Sequence, residues 1–539
     1  MEVDYSLYLV TDSTEPILKG RDLSQVVDAA IQGGVTVVQF RKKTGDTKEL
    51  VREAAELHKI TKAAGIPLLI NDRVDVAIAV GCEGVHIGQD DIDIATARKL
   101  LGKNAIIGVT ASSIEEALRA AEDGADYLGL GTVFATPTKE NAKSIVGCIG
   151  IRSFLEALAP QFPDLPTVCI GGVNAANIQR VVYQCRTPRK QLSGVAVVSA
   201  IVSAPDPKKA ASTLKSLLGE PPPFARPPPS TASTMTIDLE FLALQVPVIS
   251  KALFKAESKP LCHNMTNMVV QNIAANIAIC IGGSPIMSNN GVEAPDLAKN
   301  GGSLVINMGT VTPEQIENYL AALRAYNAVG GPVVLDPVGA GATAQRRHAV
   351  KALVEGGQFD LIKGNESEIK AVAAITTSKA TSEPEDEAEQ QKGVDSGPST
   401  LRFDQQVKLV KNLALTHRTI VLMTGVRDIL SDGKRVVAID NGHAYLGNIT
   451  GSGCTLGTTT AAFLAAYRED GFMAVLTAVL AFEIAAERAA VRREVRGPGT
   501  FVPAWLDELY SMRTGATKDW WVAARITDLS ACTIIGEHE

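Results

Sequence analysis

At 539 residues the chain is too long for one hydrophobic core and suits two large domains or more. Hydrophobic residues make up 46% and charged residues 21%, an ordinary globular composition. The formal net charge of -7 is small for this size and gives no basic footprint for nucleic acid.

Eight cysteines are scattered with no CxxC pair, which argues for reduced thiols rather than a disulfide framework or a zinc site. The start, MEVDYSLYLVTD, is acidic and strand-like, unlike a signal or transit peptide. No apolar run is long enough to span a bilayer, so a cytoplasmic protein with no membrane partner is expected.

From the N-terminus, short β-rich runs recur, each followed by a helical pattern. They are YLVTD (8–12), TVVQFRKK (36–43), PLLINDR (67–73), GVHIGQ (84–89), AIIGVTA (105–111), YLGLGTVF (127–134), PTVCIGGV (166–173) and GVAVVSA (194–200). Most are continuously apolar, as parallel strands buried on both faces are. This spacing predicts a (β/α)8 barrel over residues 1–218, with a doubly wound sheet as the alternative. The polar strand ends favour the barrel, because such ends line a barrel mouth.

Strand two ends in Gln39, Arg41 and Lys43, which alternation places on one face. Strand three ends in Asn71 and Asp72, and strand four leads through Gln89 to Asp91. Beyond strand six come Thr136, Thr138 and Lys139; strand seven ends in Gly171-Gly172 and strand eight in Val198-Ser199. Arg41, Lys43 and Lys139 suit a highly charged phosphate or diphosphate. Asp72 and Asp91 suit a shared Mg2+, and the glycines near Ser199 suit a second phosphate.

QFRKK, LLINDR, GVHIGQDD, TPTK, CIGGV and VVSAI together resemble thiamine phosphate synthase over residues 1–218. The resemblance implies joining of hydroxymethylpyrimidine diphosphate to a thiazole phosphate, through a pyrimidine-methyl cation and loss of pyrophosphate. It implies that Gln39, Arg41, Lys43, Asn71 and Lys139 bind the pyrimidine diphosphate, with Arg41 and Lys139 as catalytic cations. Thr110 faces the same ligand, and Asp72 and Asp91 take Mg2+. Thr136 and Thr138 lie toward the thiazole phosphate, held by amides at Gly172, Val198 and Ser199. QCRTPRKQL (184–192) lengthens the turn before strand eight and has no reading from sequence.

Residues 219–235, GEPPPFARPPPSTASTM, carry two proline triplets and read as an extended spacer. From 236 to 539 long Ala-rich helices alternate with the strand-like runs SLVINMG (303–309), PVVLDPV (332–338), DLIKGN (360–365) and TIVLMTG (419–425). A single open sheet flanked by helices is expected.

In NITGSGCTLGTTTAAFLAAY (448–467), Gly451 and Gly453 permit a tight turn into a helix, with free N–H groups around Cys454. That is an anion hole for a transferring phosphoryl group. The same surroundings are expected to lower the thiol pKa, making Cys454 a weak base toward a hydroxyl. A buried, inert cysteine is the other reading, and the glycine motif alone leaves both open. Asn365-Glu366-Ser367-Glu368 opens a helix after one strand, and Asp336 and Thr424 sit at the ends of others.

NxxE with GSGC is similar to the ribokinase-like superfamily. HNMTN (263–267), GGSPIM (282–287), LDPVGAGAT and KGVDS (392–396) narrow the resemblance to hydroxyethylthiazole kinase. It implies transfer of the ATP γ-phosphate to the thiazole alcohol. Asn267 and Met287 then line the thiazole pocket, Lys363, Thr424 and Gly451 contact ATP, Asp336 and Glu368 serve Mg2+, and Cys454 faces the hydroxyl. Relatives of the two halves imply a homo-oligomer, and trimeric kinase with dimeric synthase symmetry suggests a hexamer. Residues 376–400, acidic and polar, read as a disordered insert.

Overall fold

The computed structural model describes residues 3–136, 145–225, 236–377 and 399–531. It divides into two compact units, Met1–Pro222 and Pro223–Glu539. Most of the proline-rich spacer and of the acidic insert lies outside the described residues.

In the first unit eight strands close a barrel in sequence order: β1 Leu7–Val10, β2 Val37–Phe40, β3 Leu68–Asn71, β4 Gly84–Ile87, β5 Ile106–Ala111, β6 Tyr127–Gly131, β7 Thr167–Ile170 and β8 Gly194–Val197. Every neighbouring pair is parallel, closing with Tyr8 beside Ala196. The period of two explains who faces where. Leu7 and Leu9 join the core under the surrounding helices, whereas Tyr8 and Val10 join an inner core with Val37, Leu69 and Tyr127. Asp22, Asp46 and Asp93 cap helix starts by accepting the N–H three residues on, which fixes where each helix leaves its loop.

The lengthened turn before β8 has a physical role. Lys190, 5% exposed, donates its ammonium to the carbonyls of Phe162, Pro163 and Leu165 at 2.9, 3.0 and 2.6 Å. Thr187 holds the turn by accepting from Lys190 N and donating to Lys190 O. One charged group therefore ties together three carbonyls of the loop beyond the helix Gly147–Leu158.

The second unit is built on a nine-stranded sheet. Its strands are β9 Leu261–Met265, β10 Ser284–Ile286, β11 Ser303–Asn307, β12 Val333–Asp336, β13 Leu361–Asn365, β14 Ile420–Thr424, β15 Asp428–Ser431, β16 Val436–Ile439 and β17 Ile526–Asp528. The order is β10-β9-β11-β12-β13-β14-β15-β16-β17, parallel up to β14 and antiparallel beyond. The expected open sheet is present, with an antiparallel edge that the four apolar runs of the sequence do not foretell. Helices cover both faces: Val305 packs on the side of Ser452–Ala466 and Gly471–Ala490, and Leu304 and Ile306 pack on the other. Among the described residues no helix is long and apolar enough to cross a membrane.

Lys190→Met should destabilise the barrel by roughly 1–3 kcal/mol, because three part-buried carbonyls lose a charged donor while the stem volume is kept. Calorimetry of the whole chain should show the first unit's transition lowered and the second unit's unmoved.

Candidate active sites

The carboxyl ends of the barrel strands place the expected charges together. Asp72 directly follows β3 with φ +63°, a left-handed backbone uncommon outside glycine. Its N–H donates to His86 O, which pins the residue against β4. Burial, and then the hydrogen-bonded Asp91 carboxyl beside it, push Asp72 up to about 6, while Lys43 and Arg41 pull the other way. One set of interactions thus brings Asp72, Asp91, Arg41 and Lys43 into a single mouth. Lys42, between the two cations, turns outward to Glu49 and Glu53, as strand alternation requires.

Two carboxylates held close enough to raise a pKa, with the rest of the shell cationic, fit a divalent cation shared with a polyphosphate. Asp91 also accepts from Gly88 N at 2.6 Å, which fixes its orientation. Asn71 is half-buried at the end of β3, and Thr110 is half-buried on β5. At the far side Gly172 has φ +64°, and a Cβ there would lie 2.8 Å from Phe134 Cβ and 2.9 Å from Ala135 O. Only glycine fits where the 171–172 turn meets the loop bearing Thr136. Val198 precedes the short helix Ser199–Val202, and both Val198 and Ser199 are half-buried. Thr138 and Lys139 lie outside the described residues.

The second site lies where β9, β11, β12 and β13 end. Lys363 and Asp336 form an ion pair at 3.0 Å with side chains only 2% and 3% exposed. Burial works against the Lys363 charge, but Asp336, with Cys454 and Glu368 beyond, more than offsets it and raises its pKa. Asp336 also accepts from Asn307 Nδ2 at 2.8 Å, and Asn307 Oδ1 accepts from Asn267 Nδ2 at 3.0 Å. Asn267 Nδ2 stands 3.8 Å from Cys454 Sγ, closing the group.

Glu368 lies in the first turn of the helix Glu366–Thr377. Its two oxygens accept from Gly339 N and Asn365 N, both at 2.9 Å, and Asn365 Oδ1 accepts from Glu368 N. Burial and the Asp336 charge push Glu368 up to about 7. Asp336 and Glu368 are therefore a like-charged pair suited to a cation, with Glu368 held by backbone amides on both oxygens.

Gly451, at φ +84°, caps the helix Ser452–Ala466 and puts Cys454 in its first turn. The expected lowering of the Cys454 pKa is wrong. Burial, and then the Asp336 charge, push the thiol up to about 11, and Lys363 and Asn307 do not reverse it. Gly453 sits within the helix at negative φ, and a Cβ there meets nothing, so only Gly451 is required by the turn.

Comparison with known proteins bears on both units. The thiamine monophosphate synthase pattern matches residues 7–201, and that of the hydroxyethylthiazole kinase family matches residues 253–515. The "Probable thiamine biosynthetic bifunctional enzyme" of Schizosaccharomyces pombe is 39% identical over 534 residues, covering 97% of this chain and 99% of the relative. The "Thiamine biosynthetic bifunctional enzyme" of Saccharomyces cerevisiae is 37% identical over 554 residues, covering 97% and 98%. This chain belongs to that bifunctional family. A "Thiamine-phosphate synthase" of Chloroflexus aurantiacus is 47% identical over 216 residues, 40% of this chain and 94% of the relative.

Within the family frame, the structure gathers Arg41, Lys43, Asp72 and Asp91 at one mouth, and Asn267, Asp336, Lys363, Glu368 and Cys454 around one sheet end. Met287, just past β10, and Thr424, the last residue of β14, are half-buried and stand outside that hydrogen-bonded group. Asn307 belongs to the group and escapes notice in the sequence. Its position in SLVINMG, two beyond Val305 on the same strand face, is the signal that would have found it.

Asp91→Asn should lower the Asp72 titration midpoint from about 6, because the neutral amide removes the neighbouring charge that disfavours the second carboxylate. Carboxyl-carbon NMR across pH 3–8 measures it, and a midpoint that stays put would mean burial alone sets the shift.

Proposed function

We propose that the second unit phosphorylates the thiazole alcohol with ATP and that the barrel joins the resulting phosphate to hydroxymethylpyrimidine diphosphate. The observation that carries this reading is the pairing of carboxylates with cations at both strand-end sites. Few chemistries besides that of polyphosphates call for both in one place.

In the barrel, Arg41, Lys43, Asn71 and Lys139 hold the diphosphate, and Gln39 and Thr110 hold the pyrimidine end. Asp72 and Asp91 would bind Mg2+, which supplies positive charge to the departing pyrophosphate. Cations fixed in advance at the leaving group stabilise the transition state more than the ground state, since charge grows there as the bond breaks. Thr136, Thr138 and the amides at Gly172, Val198 and Ser199 hold the thiazole phosphate, whose ring nitrogen then attacks the pyrimidine-methyl carbon.

In the second unit, Asn267 and Met287 take the thiazole and Lys363, Thr424 and Gly451 take ATP. Asp336 and Glu368 would hold Mg2+, with Glu368 oriented by one backbone amide on each oxygen. Cys454 works as a neutral thiol that orients the hydroxyl, since a thiol pushed up to about 11 carries almost no thiolate near neutral pH. Loose phosphoryl-transfer transition states ask for positioning and charge far more than for a strong base. The compartment is the cytoplasm, and the assembly is a homo-oligomer, a hexamer if both halves keep the symmetry of their relatives. Product analysis with ATP, thiazole alcohol and pyrimidine diphosphate tests the whole reading: thiamine monophosphate should form only when all three are present.

Asp72→Ala and Asp91→Ala should abolish coupling while sparing thiazole phosphorylation. Full coupling rates in either variant at saturating Mg2+ would remove these carboxylates from the diphosphate site.

Cys454→Ala should slow phosphorylation by no more than about tenfold, below the ~10^2–10^4-fold typical of a general base. The kcat–pH profile of Cys454→Ala should keep the shape of the wild-type profile, because a limb near pH 7 belongs to Glu368, pushed up to about 7. A loss above a hundredfold, or a limb that disappears in Cys454→Ala, would restore Cys454 as the base.

A further inference from the structure

One helix of the second unit turns two glutamates toward the loops that follow β14 and β16. Glu483 and Glu487 stand four residues apart on Gly471–Ala490, so they share a face. Glu487 accepts from Gly442 N at 2.7 Å and from Asn441 Nδ2 at 3.1 Å, and Arg525 Nη2 pairs with it at 2.7 Å. It is a carboxylate well matched with donors. Glu483 is its opposite. It is 7% exposed, and its Oε2 is buried with nothing donating to it among the described residues. What faces it, within hydrogen-bond reach, is the carboxyl of Asp428, itself 4% exposed at the start of β15.

Two bare carboxylates do not face each other in a buried place, so one proton lies between them. The surroundings decide which partner holds it. Gly425 N donates to Asp428 Oδ1 at 2.9 Å, and the Lys363 charge acts on the same group, so Asp428 is the anion. Glu483 has the Glu487 charge beside it, offset in part by Arg525. Other helices packed on Gly471–Ala490 send their charges elsewhere: Ser452–Ala466 has none, Glu240 and Lys251 are exposed, and Glu508 is paired with Arg488. Burial, and then the Asp428 charge, hold the Glu483 carboxyl far above the usual carboxylate range, while Asp428 is pushed up only to about 6.

The pair sits directly beneath a loop of the second site. Thr424 ends β14, and the Gly425–Asp428 hydrogen bond closes the turn that follows it. At the tip Val426 is fully exposed and Arg427 reaches Asp440. Asp428 is the residue that ties this turn to the interior.

We propose that Glu483 is a positioning residue that works as a neutral acid: the proton it gives to Asp428 fixes the turn 425–428 and, through it, the contact of Thr424 with ATP. This rests on the kinase reading above. A second buried negative charge in place of that proton would push Asp428 away from Gly425 N and open the turn.

The test uses the full-length chain. It compares kcat and the KM values for ATP and for the thiazole alcohol in wild type, Glu483→Gln and Glu483→Leu. Gln is a neutral donor of the same size and should keep KM for ATP within about threefold of wild type. Leu has no proton to give and should raise KM for ATP by about tenfold or more, as a lost hydrogen bond to a charged group does, with KM for the alcohol unmoved. KM does not depend on the folded fraction, so partial misfolding of the Leu variant does not mask the result. The infrared difference spectrum between wild type and Glu483→Gln at pH 8 reads the proton itself: a protonated-carboxyl C=O band should be present in wild type and absent in the variant. A Gln variant as impaired as the Leu variant, a Leu variant with unchanged KM for ATP, or the lack of that band overturns the proposal. Failure of wild type to phosphorylate the thiazole alcohol with ATP overturns the kinase reading and with it the ATP role, while the band still reports the Glu483 proton.

Discussion

Parallel strand pairing governs everything else in this protein. In both units the strands that carry chemistry are covered by other structure on each face, so their middles tolerate few polar groups. Charge accumulates where the ladders end and all strands point the same way. In the barrel eight carboxyl ends meet in a ring; in the sheet β9, β11, β12 and β13 end side by side. The two sites differ in detail, but one constraint locates both.

That constraint has an electrostatic cost. Asp72 beside Asp91 and Glu368 beside Asp336 both titrate above their ordinary range, so each site opposes folding at neutral pH. Proton binding sets the sign. A carboxyl with a raised folded pKa holds its proton more tightly in the folded chain, so stability falls as pH rises from the unfolded value through the folded one. The Lys363–Asp336 pair offsets part of this in the second unit, although burying both ions is itself costly. Arg41 and Lys43 do the same in the barrel from more exposed positions. Groups arranged against stability in this way answer to a ligand that needs them rather than to the fold.

Strand ends are legible in the sequence because a polar residue after a continuously apolar run marks the point where a strand leaves the core. Arg41, Lys43, Asp72 and Asp91 in the barrel, and Asp336 in the second unit, stand out at or just past strand ends; the first four meet at the barrel mouth, and Asp336 meets Glu368 within its own unit. Tyr8, His86 and Tyr127 do not stand out, since aromatic residues inside strands look like core until the barrel closes and the two hydroxyls and the imidazole meet. Asn307, the last residue of an apolar strand, carries the strand-end signal and escapes notice only because its amide bears no charge. The Cys454 pKa fails on physics rather than pattern. A helix start and a nearby lysine favour a thiolate, but sequence gives no measure of burial or of Asp336 close by, and those two decide the sign. Lys190 shows the opposite case, where an insertion with no sequence rationale acquires one once three carbonyls are seen to converge on it.

The phosphate group explains why these two reactions sit well on one chain. In the coupling step the bond forms at the thiazole ring nitrogen, remote from the phosphate, so that phosphate takes no part in the electron flow. It gives a charged handle that can be held without touching the reacting atoms. Binding energy from a distant group can be used to orient the nucleophile against a short-lived cation. An unphosphorylated thiazole alcohol would have only its ring to bind with, and a cation awaiting capture would meet water instead. Phosphorylation by the second unit therefore makes the substrate competent for the barrel through recognition rather than through chemical activation.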